Sequence, residues 1–113
     1  MRLICFAVSI ELLAATAAFA QHDAALVARG EQVYTAQKCA VCHSIAGKGN
    51  QKGSLDGVGS KLSADEIRMW IVSAPEMTAK TKAARKPAMK AYAAIPKDEL
   101  EALIAYLQSL KKR

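Results

Sequence analysis

Apolar residues recur at helical spacing in three separate stretches of the chain. The first stretch follows Asp23, which is a suitable N-cap, and it carries apolar and small residues at intervals of three and four. These residues are Leu26, Val27, Gly30, Val33 and Tyr34. Such spacing predicts a helix with one apolar face.

The second stretch begins at an S-x-x-E capping box, in which Ser63 caps the helix and Glu66 returns the hydrogen bond. Ile67, Trp70 and Ile71 follow on one face, and Pro75 is expected to end this helix. We expect residues 76–95 to form a basic loop that contains at most a helical turn around residues 79–84.

The third stretch opens at Pro96, and its acidic start and basic end suit the dipole of a helix. Its apolar stripe consists of Leu100, Leu103, Ile104 and Leu107. Residues 46–59, between the first two helices, are rich in glycine. This predicts a loop whose backbone passes close to another group of atoms and wraps around it. No convincing strand is present, so the pattern predicts an all-α fold.

The N-terminal segment has the features of an export signal. Arg2 precedes two apolar runs, and Ala18 and Ala20 frame an A-x-A cleavage site. We therefore predict a signal peptide over residues 1–20, cleavage after Ala20, and a periplasmic domain over residues 21–113. Glu11 interrupts the apolar run and makes the signal poorer than average, and a retained anchor is the alternative. The run is short for a bilayer span, which needs roughly 20 apolar residues.

The chain is basic, with a formal net charge of +6 over 113 residues. The only charged side chains in the signal are those of Arg2 and Glu11, which have opposite signs, so its removal leaves the net charge of the mature protein unchanged. Positive residues cluster at Lys80, Lys82, Arg85, Lys86 and Lys90, with a second group at residues 111–113. Such a surface favours acidic partners. Export and the lack of a basic strand interleaved with aromatic residues argue against nucleic acid.

Residues 39–43 form the motif C-x-x-C-H, in which Cys39 and Cys42 precede His43. Two cysteines at this spacing project their thiols along the same side, where they can add to the two vinyl groups of one haem. The following histidine can then bind the iron. The motif predicts one covalently attached haem c, with Cys39 and Cys42 as the attachment points.

Three other interpretations of the motif are weaker. A thioredoxin-type redox pair normally lies beside a parallel sheet, and no strand-helix-strand pattern is present. A structural zinc site needs four ligands, yet Cys5 leaves with the signal and only His22 remains. A disulfide between Cys39 and Cys42 is allowed by export, and it is the main alternative. It would close a very small loop and would leave the histidine unexplained.

The mature chain resembles the class I cytochrome c family in its small bacterial monohaem form. The resemblance rests on Gly30 and Tyr34 before the haem motif, the motif itself, the run L-D-G-V-G at residues 55–59, a late methionine, and A-Y-L at residues 105–107. It implies helices and loops wrapped around one haem. It also implies that the first and last helices cross, with Gly30 close to Leu103, Tyr106 and Leu107.

The same resemblance implies a methionine as the sixth ligand of the iron. Met89 follows Pro87 and precedes the last helix, as the ligand does in the family, so we predict that His43 and Met89 are the axial ligands. Met77 is the alternative, and Met69 is expected to be an ordinary helix residue. The chain departs from the family by having Lys90 where a proline often follows the ligand.

Two smaller expectations follow from the resemblance. Ser54 stands where relatives often have proline, and we expect its backbone carbonyl to accept the second imidazole N–H of His43. Trp70 has two open interpretations, which are a hydrogen bond to a haem propionate and ordinary packing of a helix face.

Together these features predict a monomeric carrier of single electrons rather than an enzyme, without a catalytic base or nucleophile. We expect its partners to be acidic redox proteins or membrane-bound oxidoreductases. One alternative is a haem subunit of a larger periplasmic oxidoreductase complex. Another is a five-coordinate haem protein that binds small gases. The usual gas-binding helical bundles have the motif near the C-terminus, unlike this chain.

Overall fold

The computed structural model describes residues 23–112, and these residues are mostly helical. Helix α1 covers residues 23–36. The other helices are α2 (Val58–Lys61), α3 (Ala64–Val72), α4 (Ala74–Thr81) and α5 (Lys97–Ser109). The predicted all-α fold is confirmed. The predicted signal peptide, its cleavage after Ala20, and His22 lie outside the described residues.

Helices α1 and α5 cross in close contact at Gly30. A Cβ atom at this position would overlap the carbonyl oxygen of Ala102 and the Cβ of Tyr106, so only glycine fits. Beside the crossing, the rings of Tyr34 and Tyr106 meet edge to face at 5.9 Å between centroids. The predicted crossing is thus present, and Ala102, rather than Leu103 or Leu107, makes its closest contact.

The core lies where α1, α3 and α5 meet. Its buried residues are Val33, Tyr34, Ile67, Ile71, Leu100, Leu103, Ile104 and Leu107. All of them are among the residues that the helical spacing placed on the inner faces of the three predicted helices, whereas Leu26, Val27 and Trp70, which it also placed there, are only partly buried. Burial of these faces is what stabilises short helices, because isolated helices of this length are marginal in water.

Helix α3 begins as predicted, and its end differs from the prediction. Ser63 Oγ accepts from the backbone N–H of Glu66, and Glu66 Oε1 accepts from that of Ser63, both at 3.1 Å. The chain leaves the helix at Val72, and Pro75 lies in the first turn of α4 rather than at a helix end. A proline is tolerated there because the first N–H groups of a helix have no intrahelical partner. The prediction of a loop from residue 76 onward was therefore wrong as far as Thr81.

The glycine-rich segment contains a small hairpin that the sequence pattern did not predict. Strand β1 (Ser44–Ile45) pairs with β2 (Lys48–Gly49) in antiparallel register. The turn between them places Ala46 and Gly47 at φ 51° and 79°, and two positive φ values in succession are typical of tight hairpin turns. Strands of two residues are too short to show alternation, which explains why the sequence pattern missed them.

None of the helices between residues 23 and 112 combines the length and the apolar character that crossing a bilayer requires.

Candidate functional site

A cavity of about 700 Å³ lies beside the core, and its walls are mainly apolar. This volume falls within the range of roughly 300 to 1,000 Å³ that is usual for cofactor and small-molecule sites. The apolar lining includes Tyr34, Leu55, Val58, Leu62, Ile67, Trp70, Ile71, Tyr92, Leu103 and Leu107. Helices α1, α2, α3 and α5 all contribute to this lining, so the fold encloses the cavity from several directions.

Both cysteines of the motif line this cavity as free thiols. A 3₁₀ turn (Cys39–Val41) carries them, and the N–H groups of Cys42 and His43 both donate to the carbonyl of Cys39, at 3.1 and 2.9 Å. The turn therefore brings the two thiols to one wall. Burial raises the pKa of the Cys39 thiol, which favours its neutral form.

His43 lines the same wall, and one of its ring nitrogens is already engaged. Nδ1 donates to the backbone carbonyl of Gly53 at 2.9 Å, which leaves Nε2 as the nitrogen able to bind a metal. Burial lowers the pKa of the imidazole, which favours the neutral form that metal binding needs. The hydrogen bond to Gly53 acts in the opposite direction, and the charge of Arg85 reinforces burial.

The carbonyl that accepts from His43 is that of Gly53, so the expectation of Ser54 was wrong by one residue. Ser54 instead forms a parallel bridge with Ser44, and the N–H of Leu55 donates to the Ser44 carbonyl at 2.8 Å. This bridge fixes the register of the two segments and places Gly53 opposite the imidazole.

Asn50 holds the motif together, a role that the sequence pattern did not predict. Its backbone N–H lies 2.9 Å from the carbonyl of His43 and 3.2 Å from that of Ala40, and its side-chain Nδ2 donates to Val41 at 3.2 Å. One residue thus satisfies carbonyls along the whole turn. The only sequence signal was an asparagine within a glycine-rich run, which is also typical of any loop.

The three methionines of residues 23–112 occupy different environments. Met89 lines the cavity. Met77 is buried in α4, with 7% of its surface exposed, and it is absent from the cavity lining. Met69 is 42% exposed on α3. Of the three, Met89 is therefore the one that shares a cavity with His43.

Three aromatic residues of the wall, Tyr34, Trp70 and Tyr92, carry polar atoms. Trp70 lines the cavity, which is compatible with both interpretations of this residue. The hydroxyl of Tyr34 is buried without a hydrogen-bond partner among the described residues, and burial raises its pKa to about 12. A neutral donor is thus available at the wall for a polar group in the cavity.

Two thiols, an imidazole with a free Nε2 and a thioether line one apolar cavity, and this set of groups is typical of haem proteins with covalent attachment. The family model described as Cytochrome c matches residues 27–111, and the chain belongs to this family. Neither the curated proteins nor the solved structures that were searched contain a match to the chain.

Membership confirms the resemblance that the sequence motifs indicated, and it gives the protein a haem-based role in electron transfer. The family also implies a haem c cofactor. The cavity fits such a group, because its size, its apolar walls and the free thiols of Cys39 and Cys42 meet the needs of a covalently attached macrocycle.

Proposed function

We propose that the protein is a periplasmic electron carrier with one covalent haem c, attached through Cys39 and Cys42 and ligated by His43 and Met89. The observation that carries the proposal is that these four residues, from two segments far apart in the chain, line one apolar cavity. When bound, haem supplies a one-electron couple at its iron.

The residues of the chain bind, orient and shield this group. The Gly53 carbonyl fixes the imidazole tautomer, so that Nε2 is presented as a ligand and its basicity is raised. The apolar walls exclude water, and exclusion of water together with a thioether ligand raises the reduction potential. Electron transfer needs no proton acceptor or nucleophile, and we assign no residue a catalytic role.

Covalent attachment is tested by mass spectrometry of the mature protein after treatment with acidic acetone. We expect the protein to retain the mass of one haem, and we expect Cys42→Ala to prevent normal maturation. Val41→Ala is the matched control, because it lies between the cysteines and is exposed, and it should mature normally. Complete extraction of the pigment from the wild-type protein would contradict attachment.

The location and the size of the species are tested on the same preparations. We expect cell fractionation to place the protein in the periplasm, and gel filtration of gentle extracts to show a small free species. Elution with a large complex would support the subunit alternative instead.

We further propose that exposed lysines near the Met89 segment form a docking face for acidic redox partners. Lys80, Lys82, Lys86 and Lys90 are all exposed, whereas Arg85 is only half-exposed. Exposed charges act over a Debye length of about 8 to 10 Å near physiological salt, and they change association rates more than tight binding. The lysines are therefore expected to accelerate encounter with an acidic partner.

The docking proposal is tested by replacing Lys82 and Lys86 with glutamate. We expect slower electron exchange with an acidic partner and a flatter dependence on ionic strength, with little change in the visible spectrum. The control replaces Lys61 and Lys112 with glutamate, because both are exposed and neither lines the cavity. Equal kinetics of the two double variants across a salt series would refute a local docking face.

A further inference from the structure

Arg85 differs from the other basic residues of its segment because its guanidinium is directed into the protein. It lines the cavity and is half-buried, whereas the neighbouring Lys82 and Lys86 are exposed. Within residues 23–112 it forms no salt bridge and no side-chain hydrogen bond, since the ion pairs there are Arg29 with Asp98 and Arg68 with Glu101. A half-buried cation without a carboxylate partner is unusual, because its loss of hydration is not offset by a counter-charge.

The guanidinium occupies the space that the missing side chain of Gly53 leaves open. A Cβ atom on Gly53 would overlap Nη1 of Arg85 and the carbonyl oxygen of Cys42, and it would lie 2.9 Å from Cζ of the arginine. Gly53 has an ordinary backbone conformation, so the close approach of the Cys42 carbonyl, rather than a positive φ, requires glycine here, and the guanidinium of Arg85 occupies the same space.

Gly53 is also the residue whose carbonyl accepts from Nδ1 of His43. The positive charge therefore lies against the short segment that orients the proposed iron ligand. Because the guanidinium is partly shielded from solvent, its field is screened less than that of an exposed lysine.

We propose that Arg85, seated against Gly53 beside His43, is a charge that raises the reduction potential of the bound haem. This inference rests on the proposed function. The ferric centre carries one more positive charge than the ferrous centre, so a nearby cation destabilises the oxidised form relative to the reduced form. The lysines of the docking face would then govern encounter with partners, and Arg85 would govern the driving force.

The test compares Arg85→Gln with Lys86→Gln by potentiometric titration of the purified haem protein. Both variants lose one positive charge, from adjacent residues, so the net charge of the protein is the same in the two. We expect Arg85→Gln to lower the ratio of reduced to oxidised protein at a fixed solution potential at least threefold, which is about 28 mV for a one-electron couple. Lys86→Gln should shift the reduction potential by less than half as many millivolts as Arg85→Gln does.

Two further variants separate charge from shape. Arg85→Lys keeps the charge and should stay closer to the wild-type potential than Arg85→Gln. Arg85→Met keeps an unbranched, apolar side chain, shorter than that of arginine, without the charge, and it should lower the potential as Arg85→Gln does. It also replaces Arg85→Gln if that variant matures poorly.

Equal shifts for Arg85→Gln and Lys86→Gln, or an equal shift for Arg85→Lys and Arg85→Met, would overturn the inference. Such a result leaves the proposed function intact, because all of these variants would still carry covalent haem. Conversely, a wild-type protein that binds no haem would refute the proposed function before any potential is measured.

Discussion

The histidine segment, residues 39–55, is joined within itself by a dense set of backbone hydrogen bonds, whereas the methionine loop, residues 82–96, has few. In the histidine segment, Cys39, Ser44 and Asn50 all take part in bonds between neighbouring turns. In the methionine loop, the N–H of Tyr92 donates to Ile71 of α3 at 2.8 Å, and that of Ile95 donates back to Tyr92 at 3.2 Å.

The difference shows that the two proposed axial ligands are positioned by different means. The partners in the histidine segment are separated by few residues, so closing these loops costs little chain entropy. The imidazole is thus held by the polypeptide itself. The methionine loop is bonded to α4 through Ala83, whose N–H donates to Thr78 at 3.1 Å, and to α3 through Tyr92. Residues 84–91 between these bonds rely on packing against the cavity, so the position of Met89 depends more on what occupies that cavity.

The largest effect is expected from Gly49→Ala, which disrupts the histidine segment. Gly49 has φ 108°, and a Cβ there would overlap the carbonyl oxygen of His43. Both backbone strain and this overlap oppose folding, so we expect almost no folded haem protein to accumulate. The measurement is the yield of covalent haem per cell.

Gly47→Ala is the matched control for this prediction. Gly47 has φ 79°, but the nearest atom to a Cβ there is Nε2 of Gln51 at 3.8 Å. Only backbone strain remains, and the expected loss is about 1 to 2 kcal/mol of the free energy of unfolding. Similar yields for the two variants would show that the histidine segment tolerates rearrangement.

An intermediate effect is expected from the pair Met77→Ala and Met89→Ala. Because Met77 is buried in α4, its truncation should lower the free energy of unfolding by about 2 to 5 kcal/mol in urea denaturation. The weak far-red absorption band of methionine-ligated ferric haem should remain. Met89→Ala should remove this band and lower the reduction potential, while haem stays attached. If Met77→Ala loses the band and Met89→Ala keeps it, Met89 is not the sixth ligand.

The smallest effect is expected at the ion pair between Arg68 of α3 and Glu101 of α5. Helix α3 is also the helix to which the methionine loop is bonded through Tyr92. Arg68 binds both carboxylate oxygens of Glu101 and holds the pKa of that group below its usual value. A depressed folded-state pKa stabilises the protein above the unfolded pKa, about 4.3, and this contribution is lost as the pH falls through the folded value.

Glu101→Gln should therefore destabilise the protein slightly near neutral pH. It should also flatten the acid limb of the stability profile, which is the fall in the free energy of unfolding as the pH is lowered. Asp98→Asn, which breaks the more exposed pair with Arg29, is the control for the loss of one carboxylate from the surface of α5. The measurement is thermal unfolding across a pH series. An unchanged acid limb in Glu101→Gln would show that the α3 to α5 contact does not depend on this pair.

The fold was largely predictable because its main signals are local. The spacing of apolar residues located α1, α3 and α5, and the capping box at Ser63 located the start of α3 to the residue. Helix α4 was missed because Pro75 can end one helix or begin the next, and burial of Ala74 and Met77 decides between these outcomes. That burial is a tertiary contact, which a local pattern does not contain.

The site was predictable in part for the same reason. Its C-x-x-C-H motif lies within five consecutive residues, and Cys39, Cys42 and His43 all line the cavity. By contrast, Asn50, the Gly53 carbonyl and Arg85 act through contacts between segments, and no spacing in the sequence indicates them. The error of one residue at Ser54 has this origin, because the register is set by the bridge to Ser44.

The residues after α5 form a clasp on α2. Lys111 Nζ donates to the carbonyl of Gly59 at 2.8 Å, and the N–H of Lys112 donates to Ser60 Oγ at 2.8 Å. In the other direction, the N–H of Gly59 donates to Leu110 at 2.9 Å. Helix α2 contributes Val58 to the cavity wall, so this clasp closes that wall. For protein engineering, an affinity tag or an electrode tether is best joined beyond Lys112. Trimming the chain back to Leu110 would remove the hydrogen bonds of Lys111 and Lys112 to α2, and so loosen the cavity wall to which Val58 belongs.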